Sequence, residues 1–144
     1  MTNEYLRHTL STINYRFRKT VKNADDGFGT LSLGKGSRTP DEILNHMYQV
    51  LKATRVFIQE ESRPAEKPEQ LGFKAEAERF LKEIQVLDKV LSKNELPVNY
   101  AKKLLQGPLS DILTHIGQIS MLSRFYGIPI PPEDFSAAEI NTGT

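Results

Sequence analysis

The chain has 144 residues, 38% of them apolar and 26% charged, with 19 Lys and Arg against 18 Asp and Glu and a formal net charge of +1. That length lets one domain, spanning residues 1–144, bury a core without disulfides or structural metal. The interspersed charges, with no aromatic stacking platform among them, exclude a protein whose main partner is nucleic acid. Zero cysteines exclude thiolate metal sites, disulfides and thiol nucleophiles. No apolar run is long enough to span a bilayer and the N-terminus lacks the hydrophobic stretch of a secretory signal, so the expectation is a soluble cytoplasmic protein with no membrane partner.

From Tyr5 the residues Leu6, Leu10, Ile13, Phe17 and Val21 recur at steps of three and four, which predicts an amphipathic helix. Asp25-Asp26-Gly27-Phe28-Gly29 ends it, and a loop is expected through Gly36. Gly34-Lys35-Gly36-Ser37 lacks the full spacing of a phosphate-binding loop and reads as part of that connection. Thr39-Pro40-Asp41-Glu42 then starts a second helix: Thr39 caps, Pro40 suits the first helical position, and Glu42 closes a capping box. Its stripe is Ile43, Met47, Val50, Leu51, Thr54, Phe57 and Ile58, with Asn45 toward solvent, and it fades in the polar link Glu60-Glu61-Ser62-Arg63-Pro64.

A third helix runs from about Phe73 to Leu91 on the stripe Phe73, Ala77, Phe80, Leu81, Ile84, Leu87 and Leu91. Asp88 falls on its buried side and is expected to pair with a basic residue across the molecule. After a turn through Asn94 and Pro97, a fourth helix extends from near Asn99 to Tyr126, turning Leu105, Leu109, Ile112, Ile116 and Ile119 inward. Gly107-Pro108 predicts a kink or restart, because proline lacks the amide donor. From about residue 127, Ile128-Pro129-Ile130-Pro131-Pro132 predicts an extended tail. Four amphipathic helices without an alternating strand pattern make an all-α four-helix bundle. About ten extended residues at roughly 3.3 Å each can cross a helix of some 30 Å between helices two and three, which permits an up-down-down-up order.

Asp111 and His115 stand four residues apart, hence one above the other on a single helix face. His46, at the edge of the second helix's stripe, can complete a three-ligand site with them. Two neutral imidazoles and one carboxylate suit Zn²⁺, Ni²⁺ or Fe²⁺ better than Ca²⁺ or Mg²⁺, which prefer oxygen shells. A plainer reading stands beside this one: hydrogen-bonded boundary histidines, with Asp111 capping the helix that restarts after Pro108. Gln118, three residues past His115, can orient that ligand or make a packing contact. His8 reads as a surface residue, and Tyr48 and Tyr126 as packing aromatics.

The run Leu105-Gln106-Gly107-Pro108-Leu109-Ser110-Asp111-Ile112-Leu113-Thr114-His115-Ile116-Gly117-Gln118-Ile119, followed by Arg124, Gly127 and Pro129, resembles the final helix of DinB-like proteins, the DinB/YfiT-like putative metalloenzyme superfamily. Arg38-Thr39-Pro40-Asp41-Glu42-Ile43-Leu44-Asn45-His46 resembles the segment bearing that family's first histidine ligand, and Phe135-Ser136-Ala137-Ala138-Glu139-Ile140 with Gly143 its tail. The resemblance implies an up-down-down-up bundle with three metal ligands at one end of a pocket. His46 matches the first position and His115 the last; Asp111 stands where the family usually has histidine. It further implies a Zn- or Ni-dependent transferase or hydrolase, a small-molecule substrate such as a low-molecular-weight thiol, and a homodimer. The competing expectation is a non-catalytic bundle that binds a small molecule or partner protein, with a degenerate metal site.

Overall fold

A computed structural model describes residues 2–59 and 67–144, so the expected polar link at 60–64 lies outside the described residues. The helices are α1 (Glu4–Val21), α2 (Asp26–Gly29), α3 (Pro40–Ile58), α4 (Phe73–Lys93), α5 (Val98–Leu104) and α6 (Ser110–Tyr126), with a π turn at Leu105–Leu109 and a 3₁₀ turn at Phe135–Ala137. No strand occurs among the described residues.

Cross-helix pairs give the directions. Arg7 of α1 meets Asp88 of α4 and Phe17 meets Phe80, so α1 and α4 are antiparallel. Asn45 meets Glu76 and Arg55 meets Glu83, both indices rising together, so α3 and α4 are parallel. His46 meets Asp111, while Phe57 shares a groove with Tyr100, so α3 opposes the α5–α6 arm. The order is up-down-down-up.

The core is built largely from the expected stripes: Leu10, Ile13 and Phe17 of α1, Met47 and Leu51 of α3, Phe80 and Leu87 of α4, and Ile112 and Ile119 of α6 are all buried, and Leu44 joins them from outside the expected α3 stripe. Each such side chain removed from water contributes about 1.5–3 kcal/mol. The capping box forms as the sequence predicts: Glu42 N–H donates to Thr39 Oγ1, and Thr39 N–H to Glu42 Oε1. Asp88 pairs with Arg7 through two hydrogen bonds of 2.9 and 3.0 Å.

Five details depart from the sequence reading or add to it. The stretch after α1 is more than a terminator: Asp25 accepts from Phe28 N–H and holds one helical turn that buries Phe28 against Phe73 and Tyr126. Asn45 does not face solvent but is fully buried, because α3 is covered by α4 on one side and α6 on the other, a wider arc than one stripe. Phe57, at the end of the α3 stripe, is 56% exposed. The tail is docked along α1: Glu133 accepts from Tyr15 and pairs with Lys19, Arg16 stacks on Phe135 at 4.0 Å, and Gly143 N–H donates to Ser11.

The π turn explains the remaining departure and sets up the site. Pro108 has no N–H to give, and Ser110 N–H bonds instead to the carbonyls of Gly107 and Leu105, with Ser110 Oγ adding a 2.6 Å bond to Leu105 O. One extra residue in the turn rotates everything after it by about 100° relative to α5. Leu105 is therefore 43% exposed while Leu109 is buried, and the stripe read as continuous breaks between them. The same rotation sets the face on which Asp111 and His115 stand.

Candidate metal centre

All three residues singled out in the sequence converge. His46 Nε2 and His115 Nε2 each lie 3.3 Å from the same atom, Asp111 Oδ2. The imidazole rings meet edge to face, centroids 4.8 Å apart at 83°. One donor atom from each of the three falls within 4.8 Å of the others. His115 is buried, His46 half-buried, and the Asp111 side chain 45% exposed, so the cluster sits at the rim of the core with one side open. Asp111 does not cap α6: no side chain caps that N-terminus, because the backbone runs into it from the π turn. Its charge does lie in the first turn, on the favourable side of the helix dipole.

Gln118 Oε1, which only accepts, lies 2.8 Å from His115 Nδ1; a hydrogen on Nδ1 satisfies that contact, and the neutral ring in that tautomer presents a lone pair at Nε2. That lone pair faces a carboxylate oxygen, also an acceptor, at 3.3 Å. Two acceptors held so close are complementary to a proton or a cation between them, not to each other. An ion bound tetrahedrally at about 2.0–2.1 Å spaces neighbouring donors by about 3.3–3.4 Å, so both histidine–aspartate separations are those of a tetrahedral edge. Burial lowers the His46 pKa below its ordinary value; the Asp111 hydrogen bond opposes this, and the charge of Arg38, with that of His115 when it is protonated, reinforces it. His46 is thus neutral at pH 7, the form that ligates.

A groove of about 470 Å³ opens from His46 between α3 and α5, lined by Val50, Ala53, Tyr100, Leu104 and Pro108. Sequence reasoning gave no sign of it, since it depends on how the π turn sets α5 against α3. Elsewhere, His8 is an exposed residue bonded to Thr142, and the Gly34–Ser37 stretch is an exposed turn closed by a Ser37 N–H to Gly34 O bond. Among the described residues no helix is long and apolar enough to cross a membrane. No family model, curated protein or solved structure matches the chain. What the structure shows is an all-helical bundle with a possible His/Asp/His metal triad, and no comparison shows the DinB-like family.

Proposed function

We propose that His46, Asp111 and His115 bind one divalent ion, zinc or nickel before iron, and that the protein is a DinB-like metal-dependent transferase or hydrolase acting on a small molecule. The observation that carries this is the shared contact of two imidazole nitrogens with one carboxylate oxygen, at tetrahedral-edge spacing, with Gln118 holding the deeper ring in its metal-binding tautomer. The donor set fits: two neutral nitrogens and one oxygen make a three-ligand catalytic centre with a position to spare. Such an ion lowers the pKa of a bound water or thiol and so supplies a nucleophile at neutral pH.

The chain's own residues do the remaining work. His115 is held by Gln118 and by burial, His46 stands on the opposite side, and the exposed Asp111 edge leaves one side of the cluster open. A low-molecular-weight thiol is the proposed co-substrate; it comes from solution, since the chain has no cysteine. A homodimer is also proposed, through the α6 face on which Met121 and Phe125, one turn apart, are each 66% exposed. Metal analysis of purified protein tests the reading. Stoichiometric zinc or nickel that disappears in both His46→Ala and His115→Ala supports it. Metal-free protein whose fold and stability ignore both substitutions supports the non-catalytic bundle instead.

A further inference from the structure

The cavity that runs from His46 has a chemistry of its own. At about 470 Å³ it matches the usual size of small-ligand sites, roughly 300–1,000 Å³. Among the described residues lining it, none carries a formal charge. The walls are Val50 and Ala53 of α3, Tyr100 and Leu104 of α5, and Pro108 of the π turn; Val50 and Leu104 rest on the core behind them, which makes the floor rigid. Thr54 spends its hydroxyl within α3, donating to Val50 O at 2.9 Å. A second cavity of similar size, between α1 and α4, is by contrast lined by Arg18, Lys82, Lys89 and Asp88.

The two ends of the groove differ. One end is the His46 ring, whose Nε2 points to Asp111; the other lies along the flank of α5. A molecule lying in it meets the His46 imidazole of the proposed metal centre at its head and, among the described residues, only apolar or neutral surface along its body. We propose that this groove is the substrate subsite of the metal centre and that it takes a small amphiphile: an uncharged aromatic or aliphatic body carrying one metal-binding head group. This rests on the metal-centre reading. Burial of the body against Val50, Ala53, Tyr100 and Leu104 supplies affinity in proportion to the apolar area removed from water, and the head supplies orientation. Phosphorylated or polyanionic bodies are disfavoured, because among the described residues no cation lines the walls to pair with them.

The test uses two hydroxamates that share a head and differ in body. Zinc-loaded protein is titrated calorimetrically with acetohydroxamate and with 4-phenylbutanohydroxamate. The phenyl compound is expected to bind at least about tenfold tighter. Ala53→Trp, which fills the groove, is expected to bring the two affinities within about threefold of each other, while zinc stoichiometry and acetohydroxamate affinity stay as in the parent. Should Ala53→Trp fail to fold, Tyr100→Ala at a partly exposed position is expected to weaken only the phenyl compound, several-fold. Equal affinities for the two compounds on zinc-loaded protein, or a preference that survives both substitutions, overturn the groove proposal alone. Protein that takes up no zinc overturns it together with the metal-centre reading.

Discussion

Asn45 and His46 are neighbours on α3, yet they belong to polar clusters of opposite character. Asn45 turns toward α4, where its amide nitrogen reaches Glu76 Oε2 at 3.1 Å and the backbone carbonyls of Pro68 and Glu69. Glu76, fully buried, accepts from Asn45, from Gln70, from Leu71 N–H and from Arg79. Four donors on one carboxylate satisfy it within the protein. Its effect is to pin the end of the long α3–α4 connection to both helices. His46 turns toward α6, where the carboxylate of Asp111 faces two ring nitrogens, one of them held as an acceptor. In the first cluster the carboxylate is satisfied by protein donors, although Asn45 Oδ1 and Arg79 Nε have no partner, and the second is complementary to a cation. The difference separates a polar group that holds the fold from one available for chemistry.

Each substitution below sharpens that contrast or breaks it. Glu76→Leu removes the hub and strands Arg79 and Asn45 without their partner; a loss of about 3–4 kcal/mol is expected in urea unfolding. A cost below about 1 kcal/mol would show that the clamp is dispensable. Zinc at a hundredfold over its Kd is expected to stabilise the parent protein by about 2.7 kcal/mol and to leave Asp111→Ala unmoved, read by thermal unfolding. Without metal, Asp111→Ala itself should cost under about 1 kcal/mol, because the carboxylate is half-exposed and its contacts are not well-matched hydrogen bonds. Gln118→Leu keeps the shape but releases the His115 tautomer, and zinc affinity is expected to fall about 10–100-fold with little change in the stability of the metal-free protein.

The smallest effect concerns a third acidic group. Burial first, then the charges of Asp26, Glu76 and Glu42, raise the Asp41 carboxyl from 3.8 to about 6, and its Oδ1 is buried without a hydrogen-bond partner. The folded state therefore holds this proton between pH 3.8 and about 6 while the unfolded chain releases it, so stability falls as pH rises through that window. Above it the penalty is fully present. Asp41→Asn is expected to stabilise the protein at pH 7 by about 1 kcal/mol, the shift being discounted for partial solvent exposure, and to do nothing near pH 4. Equal gains at both pH values would remove the electrostatic explanation.

Much of this could be read from the residues alone. The stripes of α1, α3 (Phe57 apart) and α4, the capping box at Thr39 and an interruption of the helix at Gly107-Pro108 follow from local periodicity and backbone chemistry, and each occurs. The i, i+4 spacing of Asp111 and His115 is likewise local, so their common face was readable without a partner. What could not be read depends on how elements meet. Asn45 looked solvent-facing because one stripe was assumed, whereas α3 is covered on two sides. Leu105 looked buried because a proline interruption does not say whether the helix kinks, restarts or takes in a residue; the π turn takes one in and changes the phase. Phe28 gave a signal, an aromatic beside Asp25 in a glycine-rich stretch, that was too short to distinguish a helical turn from a loop. The apolar groove has no sequence signature, since its walls come from three separate elements.

Zinc-edge X-ray absorption on the metal-loaded protein tests the assignment of ligands most directly. The account predicts a first shell of two imidazole nitrogens with oxygen, at about 2.0–2.2 Å, that loses one imidazole in His46→Ala and one in His115→Ala. A shell indistinguishable from hydrated zinc, or one that neither substitution alters, would contradict it.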